Sequence, residues 1–127
     1  MLASDKIEHF AKQVLGCSCP HEMFDDVDYR LVVGNAGPLR KIIVGDRLLI
    51  YIVDFDRAPS AACLIKEALC EGVVERNERG LDRFRLVLLT ADPDVSDDAW
   101  QAMVRALPQC DDRVHLHMID VKDAADL

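Results

Sequence analysis

The sequence predicts an α/β fold: a mixed sheet of about five strands, with N-terminal antiparallel strands and a hairpin leading into a parallel β-α-β-α-β unit. Helices cover the sheet, and the N-terminal helix packs on it. Three observations predict this. Leu48-Leu49-Ile50-Tyr51-Ile52-Val53 and Phe84 to Thr90 are apolar on both faces, the pattern of strands in the middle of a covered sheet. A long helical pattern separates them, so they are joined by a crossover and run parallel. Gly45-Asp46 stands between two apolar runs, which marks a hairpin. The chain has 127 residues, a length that fits one domain, residues 1–127, around one core.

The elements follow in order. Ser4 is a natural N-cap. After it Ile7, Phe10, Ala11, Val14 and Leu15 recur on one helical face, and Gly16 supplies a C-terminal stop, so residues 4–15 read as an amphipathic helix. Cys19-Pro20-His21-Glu22 starts a second, short helix: Pro20 suits its first position and Glu22 its third, with Cys19 as the N-cap. It runs to about Phe24 or Val27, before the cluster of Asp25, Asp26 and Asp28. Residues 29–34 read as a strand, Asn35-Ala36-Gly37-Pro38 as a turn, and Lys41 to Val44 with Arg47 to Phe55 as the hairpin.

Pro59 and Ser60 open a helix that reaches about Arg79 and ends at Gly80. Its packing stripe is Ala61, Ile65, Ala68, Leu69 and Gly72, and Cys63 and Cys70, seven residues apart, read as further packing residues. Ser96 caps another helix, with Asp97 and Asp98 in its positive first turn and Val95 and Trp100 as a hydrophobic staple. Pro108 stops it. Val114 to Val121 is the last strand; His115 and His117 share one face, which suggests an edge strand with a wetter side. The tail from Asp123 to Leu127 reads as frayed. With the parallel strands in spatial order, both crossover helices take one face and the first helix covers the other.

Half of the residues are hydrophobic, 30% are charged and the net charge is −8. An acidic surface repels phosphate backbones and anionic lipid, so nucleic acid and membranes are poor partners. No run approaches the roughly 20 apolar residues of a membrane helix. The N-terminal residues lack the basic and apolar blocks of a signal peptide. Five cysteines without an export signal read as reduced thiols, and a cytoplasmic protein is expected.

Two groups of residues carry candidate chemistry. The first is Cys17-Ser18-Cys19-Pro20. Cys17 follows the negative end of one helix, whereas Cys19 heads the next, where unpaired N–H groups favour a thiolate. Cys19 is then the more acidic, reactive thiol and Cys17 the one that resolves it. A disulfide across one intervening residue would be strained and oxidising. Cys17, Cys19 and His21 are also ligand types for a thiophilic metal, with the fourth ligand coming from far away in sequence. Alternatively, the two cysteines are small apolar residues in a tight turn bent by Pro20.

The second group is a rim of aspartates. Open parallel sheets bind ligands beyond the carboxyl ends of their strands, and those ends read Asp54-Phe55-Asp56, then Thr90-Ala91-Asp92-Pro93-Asp94, then Asp120. Asp54, Asp56, Asp92 and Asp94 would suit magnesium. Aspartate is equally at home in such loops and at helix starts for local hydrogen bonding alone. Leu48 to Asp56 and Leu86 to Thr90 resemble the haloacid-dehalogenase-type phosphatases, in which one strand ends in D-x-D and a later one in Thr or Ser. Arg57-Ala58 stands where that family has Gly-Thr, and no further strand remains for its final acidic pair, so no activity is carried over.

The sequence thus leaves three functional readings and names no cofactor. One is a thiol-dependent redox or metal-handling protein. Another is a non-catalytic domain that binds a protein partner or self-associates, with the last strand as the expected edge. The third is a magnesium-dependent enzyme at the aspartate rim.

Overall fold

In a computed structural model, residues 4–14, 26–34, 37–54, 61–91, 102, 105–106 and 113–124 are described. Their elements are helix α1 (Ser4–His9), continued by a π turn (Phe10–Val14), strands β1 (Val27–Gly34), β2 (Gly37–Val44) and β3 (Leu48–Asp54), helix α2 (Ala61–Arg79), strands β4 (Arg83–Thr90) and β5 (Val114–Asp120), and a 3-10 turn (Val121–Ala124). The strands form one sheet in the order β1-β2-β3-β4-β5. β1, β2 and β3 pair antiparallel, and β3, β4 and β5 pair parallel. The mixed five-stranded sheet expected from the sequence is therefore present, with the two doubly apolar strands in its interior. Among the described residues, no helix is long and apolar enough to cross a membrane.

Local chemistry accounts for the turns. Gly45 and Asp46 hold φ of 58° and 53°, and the Arg47 N–H reaches the Val44 carbonyl at 3.1 Å. Two successive left-handed residues match the right-handed twist of the flanking strands. At the end of α2, Gly80 sits at φ 67°. Its N–H donates to Asn77 O at 3.3 Å, and the next N–H, of Leu81, donates to Arg76 O at 2.8 Å. This pair of bonds satisfies carbonyls the helix leaves open, and a side chain at Gly80 would be strained in that conformation. The carbonyl of Arg47 accepts from the N–H groups of Asp82 and Arg83, which fastens the start of β4 beside the start of β3.

Alternation along each strand divides the core between the two sheet faces. On one face, α2 lies against β3 and β4. Leu64, Ile65, Ala68, Leu69 and Val73 pack there on Leu49, Tyr51, Val53, Phe84, Leu86 and Leu88. On the other face Ile7, Phe10 and Ala11 pack on Ile42, Leu48, Ile50, Ile52, Val87 and Ile119. Burying Ile7 and Phe10 contributes roughly 1.5–3 kcal/mol each, which holds α1 and its π turn on the sheet.

Several local expectations are revised. The turn between β1 and β2 is tighter than Asn35 to Pro38, because Gly37 and Pro38 already pair with Gly34 and Val33. Val27, a possible end of the short helix, begins β1 instead. The last strand stops at Asp120, whose Oδ1 accepts the Lys122 N–H at 2.9 Å. That bond starts the 3-10 turn, so Asp123 and Ala124 belong to regular structure rather than to a frayed tail. Cys63 and Cys70 are exposed and do not pack in the core. At about 100° per residue both lie roughly 150° around α2 from Ile65; sharing a face put them on the outer one. The rest of the short helix at Pro20 lies outside the described residues. So does the staple of the helix at Ser96, of which Ala102, Arg105 and Ala106 are described and helical.

Candidate functional site

The carboxyl ends of the parallel strands carry one of the predicted site residues that the structure describes. Asp54 is the last residue of β3 and is exposed. With Leu31, Arg40, Ile52 and Leu89 it lines a shallow open pocket of about 120 Å³. Strand register places these residues together: Arg40 lies opposite both Leu31 and Ile52, and Asp54 opposite Leu89. Asp120, at the end of β5, belongs to the other face of the sheet. Its neighbour Ile119 packs with α1, so alternation turns Asp120 toward the α2 side, while Asp54 shares the α1 side with Ile52. Among the described residues, no group of three or more His, Cys, Asp and Glu is arranged to hold a metal ion. Asp56, Asp92 and Asp94 of the rim, and Cys17, Cys19 and His21 of the thiol segment, lie outside the described residues.

Two polar clusters sit within the sheet. On the α2 side, Glu75 reaches down from the helix. Its Oε1 accepts the Tyr51 hydroxyl at 2.5 Å, and its Oε2 accepts Lys41 Nζ at 2.9 Å and pairs with Arg79 Nε at 2.8 Å. Lys41 and Tyr51 are cross-strand partners, so one carboxylate ties α2 to two strands. Burial pushes the Glu75 carboxyl up, but the bonds from Tyr51 and Lys41 and the charges of Lys41 and Arg79 outweigh it and hold it below its usual range. Burial first, and then the bond to Glu75, push the Tyr51 hydroxyl far above the ordinary tyrosine range. This cluster acts as a brace. It has no signature in the sequence, because Lys41 and Glu75 are 34 residues apart.

On the α1 side, Arg85 is 7% exposed, and its Nη1 lies 2.9 Å from His117 Nε2. A guanidinium has no lone pair to offer. Arg85 therefore donates, and His117 carries its proton on Nδ1. Burial, followed by the charges of Arg85 and His115, pushes the His117 pKa down to about 4. The imidazole is thus neutral near pH 7. Since the unfolded histidine titrates near 6.5, the unfolded chain holds the extra proton between those values. Stability falls as pH drops from about 6.5 to about 4 and is unaffected by this group above 6.5. Melting temperatures taken at pH 7.5 and pH 5 should fall more for the wild type than for His117→Gln, which keeps an acceptor for Arg85 but does not titrate. Equal falls would show that His117 does not carry the effect.

The third feature is the outer side of β1. Its neighbour on one side is β2, and no strand flanks the other among the described residues. The Gly45 N–H donates to Asp26 O at 2.7 Å, one step before the register Val27 to Val44 begins. With the two-residue alternation of an antiparallel ladder, even-numbered residues of β1 bond to β2. The N–H and C=O groups of Val27, Tyr29, Leu31 and Val33 therefore point outward. Leu31 and Val33 also have side chains that are 74% and 82% exposed. The sequence shows this strand but not its place at the edge; the expected edge strand, β5, lies at the opposite end of the described sheet.

Comparisons with protein-family models, with curated proteins and with solved structures find no match to this chain. The D-x-D outline shared with the phosphatases gains no support from them.

Proposed function

We propose that this chain is a non-catalytic interaction domain whose binding element is the outer edge of β1. The observation that carries the reading is the coincidence, on one eight-residue strand, of outward backbone groups with the exposed side chains of Leu31 and Val33. An edge strand with unpaired N–H and C=O groups is a template for a further strand. Natural proteins usually blunt such an edge with charged side chains, proline or a bulge; Val27 to Gly34 holds no proline, its register runs without a bulge, and its two charges, Asp28 and Arg30, pair with each other. A strand added here gains main-chain hydrogen bonds for affinity, and the side chains on the sheet face set its specificity.

The test is the native size of the protein in an extract of the cells that make it. The wild type should elute well above the mass of a lone chain. Leu31→Lys places a charge on the edge while touching little of the core, and it should elute at the lone-chain mass. Identical elution of wild type and variant would remove the edge from the function.

A further inference from the structure

Resting on that reading, we infer that the occupant of the β1 edge is a second copy of this chain, paired antiparallel across a two-fold axis at Tyr29. The residues around Tyr29 are self-complementary. Reading Val27-Asp28-Tyr29-Arg30-Leu31 in the opposite direction places an apolar residue on an apolar residue and a base on an acid. A two-fold axis through Tyr29 sets Val27 against Leu31 of the second copy, Asp28 against its Arg30, and Tyr29 against its Tyr29. The outward backbone groups of Val27, Tyr29 and Leu31 meet their equivalents in the hydrogen-bonded positions. Asp28 and Arg30 fall in the other positions of the ladder, where facing residues come closest, with Cα atoms about 4.5 Å apart.

The charges support a second copy. Within one chain Arg30 Nε already lies 3.1 Å from Asp28 Oδ1, and both side chains are exposed. Pairing two copies therefore sets two such dipoles side by side in opposite directions and buries no lone charge. The alternative axis through Arg30 would set two guanidinium groups against each other. The chain as a whole carries −8, which opposes self-association elsewhere on its surface. The strip formed by β1 and β2 is different: with Lys41 paired to Glu75, Arg30 and Arg40 balance Asp28 and its neighbour Asp26. Pairing also covers the exposed Leu31 with Val27, and the union of two sheets removes the open edge from both.

The experiment is sedimentation of the purified full-length chain, with charge reversal. The wild type should sediment at twice the chain mass. Asp28→Arg and Arg30→Asp should each weaken association about 10-fold or more, because each sets two like-charge pairs face to face. An equimolar mixture of the two variants restores opposite charges at both positions and should recover association to near the wild-type level. A wild type that stays monomeric at millimolar concentration, or a mixture no better associated than its components, overturns the inference. If the purified wild type is monomeric while the native complex is still lost in Leu31→Lys, the second copy is excluded and the interaction reading survives.

Discussion

Replacing Gly72 by alanine will lower the unfolding free energy by about 2–3 kcal/mol, although alanine is the better helix former by about 1 kcal/mol. Gly72 lies inside α2 and faces the sheet. A Cβ built there meets the Phe84 ring at 2.1, 2.4 and 2.5 Å, distances no real Cβ adopts. Phe84 cannot swing aside, because it is fully buried and its ring stands edge-on to Tyr51 with centroids 5.0 Å apart. The helix must lift instead, and that opens the contacts of Leu69 and Val73 with β3 and β4. Denaturant unfolding of the variant measures the loss. Phe84→Leu vacates the space the ring occupies, so Gly72→Ala should cost less in that background than in the wild type. Unchanged stability of the single variant would mean that the layers slide apart without strain.

Glu75→Leu, on the same helix, will cost about 2–4 kcal/mol. Leucine fills the space and suits a helix, so the loss isolates the polar brace. It leaves the Tyr51 hydroxyl without its acceptor and the Lys41 ammonium, whose side chain is only 15% exposed, without its carboxylate. The destabilisation comes from stranding those partners rather than from the ion pair itself. The triple variant Lys41→Met, Tyr51→Phe, Glu75→Leu removes the whole set and should recover half or more of the loss. Thermal unfolding of the single and triple variants distinguishes the cases, since about 1 kcal/mol moves the melting temperature by roughly 3–5 °C for a domain of this size. A single variant within 0.5 kcal/mol of the wild type, on the order of measurement error, would show that the brace is neutral.

The fold was legible wherever a local rule governs the outcome. Two left-handed residues at Gly45 and Asp46 make the hairpin, Gly80 terminates α2, and the two-sided apolarity of Leu48 to Val53 and Phe84 to Thr90 places those strands inside the sheet. The site was less legible. The sequence marks Asp54 as a strand end but does not reveal that Arg40 and Leu31 sit beside it, since they come from strands whose register depends on two turns. For Cys63 and Cys70 the sequence does carry the signal: the apolar stripe of α2 defines an inner face, and both exposed cysteines lie opposite it.

The chain by itself determined the described strands and helix α2, through periodicity within a few neighbouring residues, the parallel and antiparallel halves of its sheet, through the lengths of the connections, and its acidity, through composition alone. Only the tertiary structure decided that β1 lies at the end of the described sheet, that Leu31 and Val33 stay exposed, that Glu75 finds Lys41 and Tyr51, and that Asp54 and Asp120 belong to opposite faces. Those outcomes depend on which strand lies next to which and on the phase of each ladder. Such relations are set by packing between segments tens of residues apart, where a one-residue shift turns every side chain to the other side of the sheet.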